Sequence, residues 1–175
     1  MAAAPRLDDT GLRLAPGLHL SFQRYARPQG DVSCEPPPAS LGLLPLAETG
    51  SNELLLPLAQ DEAFWIGLAL APGTPPLRLE LSVHRPDGGS EAAPPVAVAG
   101  FGTLAGWPSA QGGQQAFTRA TVSRLQLAAR REGADRPEGE ATLQLVDYER
   151  FMQASGRPAP APLDPRAGYR GWRLP

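Results

Sequence analysis

Gln60-Asp61-Glu62-Ala63-Phe64-Trp65-Ile66-Gly67-Leu68-Ala69-Leu70 passes from polar to wholly apolar within three residues. Its apolar part has no polar stripe, as expected of a central strand covered on both sides. A buried helix would also be apolar all round, but Gly67 and the bounding Pro72 favour a strand. Both Phe64 and Trp65 are therefore expected in the core.

Working outward, Leu77, Leu79, Leu81 and Val83 alternate with Arg78, Glu80, Ser82 and His84, the period-two signature of a half-buried strand. Asp87-Gly88-Gly89 follows as a hairpin signal. On the N-terminal side Leu18, Leu20 and Phe22 alternate with His19, Ser21 and Gln23, and Leu143 and Leu145 do so with Thr142 and Gln144 further on. Residues 41–46 read as an edge strand, and residues 96–101 as another strand. Residues 114–131 fit a helix through Phe117, Val122, Leu125 and Ala129, and fit a strand through Leu125 and Leu127. Residues 150–155 suit one helical turn.

The 175 residues include 19 glycines and 21 prolines, which disfavours a helical bundle. The expected fold is all-β: an antiparallel sandwich or barrel of about seven to nine short strands. Residues 1–11 read as a loose lead-in, 12–155 as the domain, and 156–175 as a proline-rich C-terminal arm.

Charge and residue types narrow the chemistry. The formal net charge is −2, without the basic surplus that nucleic acid demands. Lysine is absent, so no lysine Schiff base or P-loop lysine is available. A single cysteine, Cys34, and a start without an apolar leader lead to an expected cytoplasmic location. The apolar run at 63–72 is shorter than the roughly 20 residues that cross a bilayer.

Candidate sites are few. His19, His84 and Glu80 could line one sheet face and hold a metal or small ligand, although no local spacing brings the imidazoles together. Asp61 and Glu62 point to opposite sides of a strand, which suits a polar strand entrance better than an acid pair. If either is drawn inside, Arg24 or Arg78 is a possible counter-charge. Trp107, between Gly106 and Pro108, reads as an exposed loop aromatic of the kind that marks a contact. Tyr169, Arg170, Trp172 and Arg173 are residue types enriched in binding hot spots. They would dock on a protein partner or a second copy, or fold back over an apolar groove of their own domain. The reading is thus a non-enzymatic interaction domain with no cofactor, metal, nucleic acid or membrane partner. The rival is a ligand- or metal-binding sandwich, including an enzyme of unfamiliar type.

Three segments, Gly17-Leu18-His19-Leu20-Ser21-Phe22-Gln23-Arg24, residues 54–67 and Leu143-Gln144-Leu145-Val146-Asp147-Tyr148, resemble an uncharacterised bacterial β-rich family. The resemblance implies no activity. It does imply that Phe22, Trp65 and Tyr148 share a core, with Glu62 and Arg24 meeting at its rim.

Overall fold

Alternation fixes which side of each strand is wetted, and the computed structural model shows where those sides go. It describes residues 4–33, 35–49, 53–109 and 112–164. In chain order the strands are β1 (Arg6–Asp8), β2 (Gly11–Ala15), β3 (Leu18–Ala26), β4 (Ala47–Glu48), β5 (Glu53–Pro57), β6 (Glu62–Leu70) and β7 (Leu77–His84). There follow β8 (Ser90–Val98), β9 (Phe101–Leu104), β10 (Gly106–Pro108), β11 (Gln114–Ala116), β12 (Arg124–Arg131), β13 (Gly139–Val146) and helix α1 (Tyr148–Ser155).

They form a five-stranded sheet in the order β1-β2-β3-β6-β9, a six-stranded sheet in the order β4-β5-β13-β12-β7-β8, and the ribbon β10-β11. The two large sheets pack face to face as an open sandwich, so the barrel alternative falls away. Leu12, Leu14, Leu18, Leu20, Phe22, Phe64, Ile66 and Leu68 from the first meet Leu54, Leu56, Leu79, Leu81, Leu125, Leu127 and Leu143 from the second. At Gly139 a Cβ would lie 1.6 Å from the Leu14 carbonyl oxygen, so β13 and β2 touch there backbone to backbone. No helix among the described residues is long and apolar enough to cross a membrane.

Several expectations need correction. Thirteen strands occur among the described residues; four of them (β1, β4, β10 and β11) hold three residues or fewer, too short for periodicity to register. The six-stranded sheet is mixed rather than antiparallel, because β13 runs parallel to β5. Strand β1 lies within the stretch read as lead-in, paired with β2 as a hairpin. Residues 114–131 hold β11 and β12 and no helix; Leu125, Leu127 and Ala129 face the core on alternate positions. Residues 41–46 are not a strand, since contact with β3 is limited to the Gln23–Leu43 bridge and loop hydrogen bonds such as Leu44 N–H to the Phe22 carbonyl. Residues 150–155 extend to a two-turn helix, capped by the Asp147 side chain at Arg150 N–H (2.7 Å) and ended by Gly156 at φ 67°.

Trp65 is also displaced from its expected place. Glu62, Phe64, Ile66, Leu68 and Leu70 face inward on β6, which turns Trp65, Gly67 and Ala69 to the outer face. Trp65 is half-buried and its indole N–H donates to the Pro38 carbonyl at 3.0 Å. Phe64 has no accessible surface and packs against Phe22 and Phe117, at centroid distances of 6.0 and 5.2 Å. Truncating Phe64 to alanine should therefore cost roughly 3–5 kcal/mol in denaturant unfolding. Trp65→Ala should cost clearly less, and equal losses would contradict the assigned faces.

Candidate functional site

Two polar constellations stand out, one sealed and one open. The sealed one follows from strand phase. Arg24 continues the inward series Leu18, Leu20, Phe22 on β3, and Glu62 opens the inward series of β6. Arg24 pairs with Phe64 and Ala26 with Glu62, so the two charges are diagonal neighbours within reach of long side chains. The Arg24 Nη1 donates to Glu62 Oε1 at 2.9 Å, with Glu62 wholly buried. Tyr148, on the first turn of α1, donates its hydroxyl to the same carboxylate (2.6 and 2.7 Å to its two oxygens) and accepts from Arg24 Nη1 at 2.9 Å. The Ala59 N–H completes the shell on Glu62 Oε2 at 3.0 Å. Burial, then the hydrogen bond and charge of Glu62, push the Tyr148 hydroxyl above the usual phenol range, so it stays a donor.

The cluster unites the three motif segments, and Arg24 and Glu62 meet as the resemblance implied. Tyr148 bonds to both charges and Phe22 packs in the core against Phe64, but Trp65 faces away. Glu62 is wholly buried and Arg24 nearly so, and the hydrogen bonds among Arg24, Glu62 and Tyr148 form a clamp that ties β3, β6 and α1 together.

The open constellation lies on the outer face of the five-stranded sheet. Register places Arg6, Arg13, His19, Ala69 and Phe101 in one row across all five strands, with Ser21, Gly67 and Thr103 in the next. A groove of about 360 Å³ runs along this row, lined by Asp8, Thr10, Arg13, His19, Ala69 and Phe101 among others. The Asp8 carboxylate accepts from Thr10 N–H (2.9 Å), the Thr10 hydroxyl (2.7 Å) and Arg13 Nε (3.0 Å), and lies 3.3 Å from His19 Nε2. These hydrogen bonds, those from Thr10 foremost, hold its pKa well below the usual carboxylate range. Across the groove Phe101 is 93% exposed.

Phe101 stands on β9, an edge strand. Each large sheet has two edges. Strand β4 is two residues long, β1 carries Arg6 and Asp8, and β8 carries Pro94 and Pro95 where its register with β7 shifts. Short length, charge and proline all hinder a further strand from adding. Strand β9, Phe101-Gly102-Thr103-Leu104, has none of these. The Leu70 N–H bonds the Gly100 carbonyl at 2.9 Å, and ladder alternation then turns the backbone groups of Phe101 and Thr103 away from β6.

The sequence-derived candidates fare unevenly. Trp107 is not an exposed loop aromatic: it lies on β10, is 2% exposed, stacks on Phe117 at 5.3 Å and donates its indole N–H to Glu91. Apolar contact with Phe117 outweighs the flanking Gly106 and Pro108. His19 lies on the outer face of one sheet, while His84 and Glu80 lie on the outer face of the other. The whole sandwich separates them, which overturns the shared pocket; no cluster of metal-ligating side chains occurs among the described residues. Tyr169, Arg170, Trp172 and Arg173 lie outside the described residues. Phe101 was missed because it follows Ala99-Gly100 at a strand junction, where alternation resets.

Replacing Glu62 by alanine leaves Arg24 charged and buried without its partner, and should cost roughly 3–5 kcal/mol. Tyr148→Phe removes one hydroxyl from the same cluster and should cost about 1–3 kcal/mol. Chemical denaturation measures both. Asp8, more acidic folded than unfolded, stabilises the fold above the unfolded carboxylate pKa, and that contribution fades as pH falls below about 4. Asp8→Asn should therefore lower the melting temperature at neutral pH, with the gap to the parent chain closing in acid. Comparison of the chain with protein-family models, with curated proteins and with solved structures finds no match.

Proposed function

We propose that the chain is a protein-contact module that acts through its surface, the β9 edge above all, and through its C-terminal arm. The observation that carries this reading is Phe101, a large apolar side chain almost wholly in solvent on the sheet edge that lacks charge and proline. A strand from a partner, or from a second copy, would find outward backbone groups at Phe101 and Thr103 and an aromatic anchor beside them. The polar chemistry elsewhere supports the same reading. Glu62 is spent on Arg24 and Tyr148, and Glu80 is held by Arg130 at 3.1 Å.

A photo-reactive phenylalanine analogue at position 101, irradiated in cells that make the protein, should yield covalent protein adducts heavier than the single chain. The same analogue at exposed Glu132, in the turn that follows β12 of the other sheet, should not. Thr103→Lys, which puts a charge on the open edge, should abolish the adducts. Their absence at position 101, or their persistence in the lysine variant, would overturn the assignment.

A further inference from the structure

The groove beside Phe101 has a candidate occupant within the chain itself. After Gly156 the backbone does not leave the domain: Arg157 donates its guanidinium to the Leu46 carbonyl at 2.6 Å. Arg157, Pro158, Ala159 and Pro160 border a second groove whose other wall includes Asp8, Asp9, Gly11 and Leu46. Asp8 lines both grooves. The arm is thus brought to the rim of the Phe101 groove, and residues 165–175 follow beyond the last described position, Asp164.

Length and chemistry match. Four inter-strand steps from β1 to β9 span about 19 Å. Eleven residues reach up to about 36 Å when extended. The segment carries Arg166, Arg170 and Arg173 with no acidic side chain, and also Tyr169, Trp172 and Leu174. The groove offers the Asp8 carboxylate at one end, with Asp9 next to it, and Phe101 over an Ala69 floor at the other. The floor is low because the outward side chain that β6 supplies there is only the methyl of Ala69.

We propose that residues 165–175 seat in the groove of their own chain, with Tyr169 and Trp172 against Phe101 and the arginines toward Asp8 and Asp9. Tethering a few residues away gives the segment a local concentration that a free competitor must exceed. Seated there, the segment covers the open β9 edge. The proposal rests on reading the Phe101 surface as a contact face, but the two can fail separately: that reading is tested by intermolecular adducts in cells, this one by contacts within a purified monomer.

In the purified full-length chain, the photo-reactive analogue at position 101 should link to a peptide from residues 165–175 of the same molecule. Tyr169→Ser with Trp172→Ser should abolish that link and speed amide exchange at residues 101–104 without lowering the melting temperature of the domain. A synthetic peptide of residues 161–175 should bind this double variant and not the parent chain. Ala69→Gln, which raises the groove floor, should weaken that peptide binding. Links confined to other segments, or exchange at 101–104 unchanged by the double substitution, would overturn the proposal. Links formed only between two chains would overturn it in favour of exchange with a second copy.

Discussion

A carboxylate taken fully out of water costs several kcal/mol unless its charge is met and its lone pairs are filled. Glu62 meets that condition through one guanidinium, one phenol and one backbone amide, each from a different part of the chain. The rest of the fold is arranged so that they can converge. Strand β3 must register with β6 so that Arg24 lies diagonal to Glu62, and β13 must end where Asp147 can start a helix with Tyr148 on its first turn. A shift of β3 by one residue would turn Arg24 outward and put Gln23 in the core. The cluster therefore contributes specificity of register, while the leucine layers supply most of the stabilising burial.

Division of labour between the faces of the first sheet follows from the same phase. Bulk on the inward positions of β6 leaves Trp65, Gly67 and Ala69 outside, and the two small residues open a trough between β3 and β9. The trough is polar where the β1–β2 hairpin closes it and aromatic where β9 bounds it. At the polar end Asp8 accepts from Thr10 and Arg13 and lies beside His19, and at the other end Phe101 presents its ring to solvent.

Much of this was written in the sequence. Alternation in residues 18–23, 77–84 and 142–145 marks strands that exist, and Asp87-Gly88-Gly89 turns a hairpin whose Arg85 N–H meets the Gly89 carbonyl at 2.7 Å. The meeting of Arg24 and Glu62 was implied by the resemblance of their two segments, while the residues alone left Arg24 and Arg78 as equal candidates for the counter-charge. What was hidden depended on contacts remote in sequence. Trp107 is flanked by turn-forming residues and gives no local sign that Phe117 will cover it. Phe101 looks like the end of an apolar run because its exposure arises from β9 being last in its sheet, a property of topology. The parallel approach of β5 and β13 has no local signature at all, and the two histidines could be placed on separate faces only once the sheets were known.

That parallel pairing joins Glu53 with Thr142 and Pro57 with Val146. Contacts so distant along the chain form slowly, because a large loop must close before anything is gained. During synthesis Leu54 and Leu56 emerge long before their neighbours on β13. Until residue 146 clears the ribosome these leucines have only part of their final cover, and Glu62 waits equally long for Tyr148. Assembly of the six-stranded sheet is thus a late event, and a nascent chain halted within the loop at 132–138 would be a substrate for chaperones rather than a smaller version of the domain.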